Sequence, residues 1–166
     1  MGLLQAKYPQ VRQLKAQTTI GLSTFEHHIR VAWSRVALER RGDARGWRGE
    51  RRLTSEDRPL QLVHLGSGAT PYIPDAVYAA QDGRKTMLEL ELSPKTEKQA
   101  KARVETITAL MAKLGDRYQA VHFVCSTEAI AERYRHLTRA FGFRVETFDG
   151  LLKEAGLYEQ YQQYRG

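Results

Sequence analysis

The sequence predicts an α/β domain in which a mixed β-sheet is flanked by helices. Three short strand-like runs separated by turn signals occupy residues 60–92, and helical and strand-like patterns alternate after Pro94. The three runs can pair as an antiparallel meander, whereas the later strand–helix–strand units favour parallel pairing. The expected order is therefore a helix, a three-strand meander, a helix, a strand, a helix and a strand.

Length and composition indicate one basic globular domain. The chain has 166 residues, of which 42% are apolar, and its formal charge is +7. Such a charge favours a polyanionic partner such as DNA, and a basic protein without a nucleic-acid role is the alternative. The single cysteine, Cys125, excludes an internal disulfide and is expected to be buried. With no apolar run of ~20 residues and no signal peptide, a cytoplasmic protein is predicted.

A single domain is predicted over residues 1–166, with an extension (1–22), a core (about 23–148) and a helical tail (149–166) that carries tyrosines on its surface. The opening residues show neither a helix cap nor a strand alternation. The sequence therefore leaves open whether the chain is part of a longer protein.

The first helix is predicted over residues 24–41. "STFE" is a capping box, with Ser23 as the N-cap and Glu26 as the third helical residue. Gly42 ends the helical pattern. Five apolar residues recur at helical spacing and are expected to form the buried face: Phe25, Ile29, Ala32, Trp33 and Val36.

Arginines are concentrated between Arg30 and Arg58, where nine of them accompany five acidic residues. This excess predicts a phosphate-contacting surface, and a solvated loop of flexible arginines is the alternative. The residues predicted to contact DNA are Arg48, Arg51 and Arg52 here and Lys98 and Lys101 on a later helix.

The three strand-like runs are "LQLVHL" (60–65), "YIPDAVYAA" (72–80) and "TMLELEL" (86–92). Asp82-Gly83 between the second and third runs predicts a hairpin. After Pro94, a helical stripe of apolar residues continues to a stop at Gly115, and Lys98 and Lys101 lie off this stripe. Its members are Ala100, Val104, Ile107, Met111 and Leu114.

The remaining core elements follow the same alternation. "YQAVHFVCS" is nearly continuously apolar and predicts a buried strand, after which Ser126 or Thr127 caps a helix that Gly142 ends. "FRVETF" predicts the last strand. The apolar residues expected inside the capped helix are Ile130, Tyr134, Leu137 and Phe141.

Acidic residues in the second and third runs predict a cation site. Glu89 and Glu91 lie two apart and share one strand face, which Lys95 continues if the chain stays extended through Pro94. The hairpin brings Asp75 beside them. Because clustered carboxylates repel one another, they favour Mg²⁺ or Mn²⁺, with Lys95 stabilising charge on a phosphodiester. The alternative is a water-facing strand on which Lys95 pairs with a glutamate.

The element order, with "PD" in the second run and an acidic pair followed by a lysine, resembles the restriction-endonuclease-like (PD-(D/E)xK-type) nuclease superfamily. More closely, the chain resembles the replication-relaxation family, to which the C class of plasmid mobilisation relaxases is related. This resemblance covers residues 25–145 or so and is carried by "HHIRVAWSRVALER", "WRGERRL", "YIPDAVY" and "LELELSPKT".

The resemblance implies a metal-dependent enzyme that nicks one DNA strand at a plasmid or mobile-element transfer or replication origin, alongside conjugative coupling or relaxosome proteins. It implies that Asp75, Glu89 and Glu91 are metal ligands and that Lys95 is the catalytic lysine. Glu50 and His27 fall at further polar positions of the family.

Two departures from the family pattern bear on this expectation. Lys95 follows Glu91 by four residues rather than two. The family usually has a winged-helix region before this segment, and the stretch before Ser23 is too short for one, so we expect the nuclease domain alone or a short homologue.

Several alternatives stay open. Water is the expected attacking group. Tyr72 and Tyr78, which are expected to lie near the carboxylates, are alternative nucleophiles. A DNA-binding or assembly module without catalysis, and a general repair or restriction-type nuclease, are the competing functions.

Overall fold

A computed structural model describes residues 22–56, 72–114 and 117–165 of the chain. Within these residues, five strands form one sheet in the order β1-β2-β3-β4-β5. The strands are β1 (Arg45–Gly49), β2 (Ala76–Ala79), β3 (Lys85–Glu91), β4 (Ala120–Cys125) and β5 (Arg144–Thr147). The first three strands pair antiparallel, and the last two continue the sheet in parallel. The predicted α/β class with a mixed, helix-flanked sheet is therefore confirmed.

Helices cover both faces of the sheet. They are α1 (Leu22–Arg40), α2 (Glu50–Glu56), α3 (Glu97–Leu114), α4 (Glu128–Thr138), α5 (Phe148–Glu154) and α6 (Tyr158–Arg165). Leu38, Leu151 and Tyr161 pack on one face, which we call the α1/α5 face. Ile107 and Tyr134 pack on the opposite α3/α4 face. In the ranges described, no helix is long and apolar enough to cross a membrane.

Strand β3 alternates between these two faces as the sequence predicts. Leu88 and Leu90 belong to the core of the α1/α5 face, whereas Met87 belongs to that of the α3/α4 face. Glu89 and Glu91 therefore point toward α3 and α4. Since Ala76 pairs with Leu88 in the β2–β3 ladder, Asp75 lies just beyond β2 on the same side as the glutamates.

The first strand differs from the prediction. β1 and the short α2 both form within the arginine-rich segment, and the predicted strand at 60–65 lies outside the described residues. Alternation could not reveal β1, because "RGWRG" has two glycines and two arginines in five residues. Tertiary contacts stabilise it instead: the ring of Trp47 stacks on that of Tyr78 with centroids 5.9 Å apart.

The predicted buried face of α1 is only partly right: Ile29 and Trp33 pack against the core of the α1/α5 face, but other predicted residues do not. Phe25 and Val36 are 49% and 47% exposed, whereas Ser34, Ala37 and Leu38 are fully buried. Small residues on the buried face let the helix approach the sheet closely, and periodicity alone cannot say which of two partly apolar faces does so. The helix begins at Leu22, one residue before the predicted cap, and ends at Arg40, before Gly42.

The C-terminal segment is part of the core and not a peripheral tail. Tyr161, expected at the surface, is 2% exposed and packs edge-on against Phe148 and Trp33, whereas Tyr164 is 55% exposed. Helix α4 ends before Phe141, which the periodicity places inside it and which is 46% exposed. Its N-cap is Thr127, one of the two predicted residues, and Cys125 is buried as expected.

Candidate carboxylate site

Three acidic side chains meet at the carboxyl end of β3, and we call them the carboxylate site: Asp75, Glu89 and Glu91. Glu89 and Glu91 are completely buried. This burial overturns the alternative in which the glutamates face water. Burying two carboxylates is unfavourable unless they are paired, so their partners define the chemistry of the site.

Asp75 is held against β3 and α1. Its Oδ2 accepts a hydrogen bond from the backbone N–H of Leu90 at 2.7 Å, and its Oδ1 lies 3.0 Å from Nε2 of His27. The backbone carbonyl of Asp75 accepts from the N–H of Glu50 at the start of α2. His27 and Asp75, far apart in sequence, are thus direct partners.

Arg103 in α3 is the partner that sequence reasoning missed. Its Nη2 donates to Oε2 of Glu89 at 2.6 Å, and its Nε lies 2.5 Å from Oε1 of Glu91 without the alignment of a hydrogen bond. Lys95 donates to the other oxygen of Glu91. One sequence feature could have identified Arg103: it lies next to the buried apolar residues Ala100 and Val104, and a charged side chain at such a position needs a partner.

Burial and charge give the site an unusual protonation balance. Burial raises the pKa of Glu89 to about 8, even though Arg103 acts in the opposite direction. The hydrogen bond with Asp75 raises the pKa of His27, against the effect of burial. Three carboxyl groups therefore face the guanidinium of Arg103, the amino group of Lys95 and the imidazole of His27.

The donor chemistry suits a hard divalent cation, but the geometry is occupied by the protein's own cations. All the carboxylate donors are oxygen atoms, which Mg²⁺ and Mn²⁺ prefer. Oε1 of Glu89 has no well-aligned donor among the described residues, although Tyr72 interacts with this carboxyl group. The other oxygens contact His27, Leu90, Lys95 or Arg103. No set of three or more His, Cys, Asp or Glu side chains in the described ranges is arranged to hold a metal. In this arrangement Arg103, Lys95 and His27 compensate the carboxylates.

Other predicted site residues lie around this cluster. Glu50, Arg51 and Arg52 line a cleft of about 270 Å³ together with His27 and Asp75. Glu50, Arg51 and Arg52 are exposed. The cleft thus leads from a basic rim to the carboxylate site.

The remaining predicted DNA-contacting residues occupy two separate places. Lys98 and Lys101 are exposed in the first turns of α3, whose second turn carries Arg103. Arg48 is half-buried in β1 and interacts with other residues of the protein. The lysines are therefore freely accessible, and Arg48 is the least accessible of the set.

The two candidate tyrosine nucleophiles are separated by the sheet. Tyr72 lies near the carboxylate site, with Arg103 5.6 Å from its ring centre. Burial, together with Glu89, raises the pKa of Tyr72 well above its ordinary value, which disfavours the phenolate that would attack a phosphate. Tyr78 faces the α1/α5 side and bonds to His122, so the prediction that it lies near the carboxylates is wrong.

A second polar cluster, only part of which is fully buried, lies on the α1/α5 face, and we call it the Arg41 network. The Tyr78 hydroxyl lies 2.9 Å from Nδ1 of His122, whose Nε2 lies 2.7 Å from Oε1 of Glu146. Arg41 then bridges Glu146 at 3.1 Å and Asp43 at 2.5 Å. Burial opposes ionisation of Glu146, but His122 and the arginines lower its pKa to about 2.

Two histidines are expected to change the pH dependence of stability in opposite directions. The pKa of His27 is raised from 6.5, so its contribution to stability is complete below pH 6.5 and is lost as the pH rises through the raised pKa. Burial lowers the pKa of His122 from 6.5, although Glu146 opposes this, so protonation of the unfolded chain reduces stability as the pH falls below 6.5.

Urea unfolding at about pH 5 and about pH 8 measures both effects. His27→Gln should make the loss of stability on acidification larger, and His122→Gln should make it smaller. Equal pH dependence in the two variants would contradict these assignments.

No family model, no curated protein and no solved structure matches the chain.

Proposed function

We propose that the protein is a metal-dependent DNA endonuclease that nicks one strand at a plasmid or mobile-element origin. The observation that carries this proposal is the convergence of Asp75, Glu89 and Glu91 on one side of two paired strands, where Lys95 donates a hydrogen bond to Glu91. The +7 charge of the chain suits a polyanionic substrate. Nicking at an origin rests on the resemblance to the replication-relaxation family alone.

We propose also that the core is restriction-endonuclease-like. Its support is the order of a helix, three antiparallel strands, a helix and a parallel strand, with the short α2 between the first two strands and the acidic residues at the second and third.

The residues of the site have distinct roles in the proposed reaction. A bound divalent cation would polarise a phosphoryl oxygen and lower the pKa of an attacking water. Lys95 places an ammonium group beside Glu91, where it can stabilise negative charge developing on the phosphate. His27 fixes the orientation of Asp75 through the 3.0 Å contact.

Plasmid nicking tests the proposal directly. Purified protein is incubated with supercoiled plasmid and Mn²⁺ or Mg²⁺, and open-circular product is measured on a gel, with EDTA as the metal-free reference. A plasmid carrying a mobilisation origin and one lacking it are compared. Nicking of both plasmids would support a general nuclease, and a lack of product with either metal would refute the enzymatic proposal.

A DNA-binding module without catalysis is the second candidate. It is favoured by the fact that Arg103 and Lys95 already compensate Glu89 and Glu91 without a metal. Calorimetric titration with Mn²⁺ separates the two: this candidate predicts DNA binding in the wild type and no saturable Mn²⁺ binding, with or without DNA.

Arginines at the cleft are expected to contribute to DNA affinity through phosphate contacts. Replacing Arg51 and Arg52 by Gln should weaken binding of all DNA sequences and reduce the salt slope of log K by about one unit per lost contact. Fluorescence anisotropy at several salt concentrations measures the slope. Arg139→Gln, a single charge change at the end of α4, is the control. Equal slopes in the double variant and the wild type would remove α2 from the DNA interface.

A further inference from the structure

Arg103 is held by two carboxylates but fits only one of them well. Its bond to Glu89 is an aligned hydrogen bond of 2.6 Å, whereas its 2.5 Å approach to Glu91 lacks hydrogen-bond alignment. The planar guanidinium fork matches two oxygens of one carboxylate or phosphate better than one oxygen from each of two residues. Its present arrangement is therefore a compromise.

The carboxylate site also has a poorly satisfied acceptor. Oε1 of Glu89 is completely buried and has no well-aligned donor among the described residues, although the Tyr72 hydroxyl interacts with the Glu89 carboxyl group. Burying an acceptor that lacks a well-aligned donor is costly, and a cation bound to this oxygen would relieve that cost. Glu89 is the residue from which Arg103 would have to withdraw for such a cation to bind.

Arg103 can reach an anion outside the cluster. Its side chain is 28% exposed, whereas Glu89 and Glu91 are completely buried. A phosphate approaching from solvent would therefore meet the guanidinium before it met the glutamates. It offers Arg103 the paired oxygens that the two glutamates do not.

We propose that Arg103 exchanges between the glutamates Glu89 and Glu91 and a phosphate group of nucleic acid, and that this exchange admits a divalent cation to the carboxylate site. The inference rests on the proposed function, because it concerns the same cation and the same substrate. The coupling is reciprocal: DNA raises the affinity for the cation, and the cation raises the affinity for DNA. In free protein, Arg103 acts as the resident cation and keeps the site closed to metal.

Calorimetric titration with Mn²⁺, with and without a short DNA duplex, tests the exchange. Wild-type protein should bind Mn²⁺ about tenfold more tightly when DNA is present. Arg103→Gln should bind Mn²⁺ about tenfold more tightly than wild type in the absence of DNA, and DNA should add little further. A gel confirms that the duplex is intact at the end of each titration.

Two further variants keep the result interpretable. Arg103→Lys retains the charge but cannot bridge both glutamates, so it should fold even if Arg103→Gln does not and should show a smaller gain in Mn²⁺ affinity. Arg139→Gln removes one distant charge and should leave Mn²⁺ affinity unchanged. Circular-dichroism melting verifies that each variant is folded.

The outcomes separate the exchange from the proposed function. Tight Mn²⁺ binding to wild type that neither DNA nor the Arg103 variants alter would overturn the exchange while leaving the nuclease proposal intact. A lack of Mn²⁺ binding in every protein, with and without DNA, would overturn both.

Discussion

Asp75→Asn is expected to lower Mn²⁺-dependent nicking of supercoiled plasmid by about a thousandfold, the scale at which loss of one transition-state-stabilising group reduces catalysis. Asparagine keeps the shape of the side chain, and its carbonyl oxygen can still accept the hydrogen bond from the N–H of Leu90. The substitution removes the negative charge that would contact the cation. Initial rates of open-circle formation measure the effect.

A matched substitution shows whether the effect belongs to the site. Glu105 lies exposed on α3, and Glu105→Gln removes one negative charge at the surface. This variant should nick at the wild-type rate, and both variants should melt within a few degrees of wild type. Full activity in Asp75→Asn would show that the carboxylate site is not where cleavage occurs.

Arg41→Ala is expected to destabilise the protein by about 3 kcal/mol, the low end of the cost of removing one partner from a buried ion pair. The Arg41 side chain is only 14% exposed and contacts Asp43, Glu146 and Glu154. Without it, Glu146 keeps His122 and Arg144 but loses its most buried cation. Urea unfolding at neutral pH measures the change in the free energy of unfolding.

Arg35 provides the control for this substitution. It also lies in α1 and pairs with Glu39, but both side chains are exposed, at 51% and 37%. Exposed pairs of this spacing contribute about 0.3–0.5 kcal/mol, so Arg35→Ala should have little effect. Similar destabilisation by the two variants would mean that the Arg41 network contributes no more than a surface ion pair.

The sheet was predictable wherever side chains alternate or form a continuous apolar run. β2, β3 and β4 appear close to their predicted positions, because these strands bury apolar side chains and their patterns report that burial. β1 was missed because it is held by pairing with β2 and by Trp47, not by a pattern of its own. Its bulge between Arg45 and Arg48 further removes any regular alternation.

The first helix shows a related difficulty. Its apolar residues occupy more than one face, and Phe25 and Val36 of the predicted stripe are exposed, whereas Ile29 and Trp33 pack against the core. Ser34 and Ala37 lie on the buried face, where their small side chains allow the helix to pack closely. Which face is buried depends on close packing between elements, and the hydrophobicity pattern along the chain does not report that packing.

Local sequence was sufficient to bring the acidic residues together. The period of a strand puts Glu89 and Glu91 on one side, and the Asp82-Gly83 turn returns the chain so that Asp75 lies beside them. These relations need only one hairpin. The convergence of Asp75, Glu89, Glu91 and Lys95 therefore follows from residues that are close together along the chain.

The cations that oppose those acids depend on elements that only the folded chain brings close. His27 reaches Asp75 across 48 positions, and Arg103 approaches Glu89 and Glu91 because α3 packs on the face to which they point. Periodicity describes each element by itself, whereas burial and ion pairing depend on which faces meet. The chain's own pattern thus established the carboxylate cluster, and the packing of helices on the sheet established its depth, its charge balance and its partners.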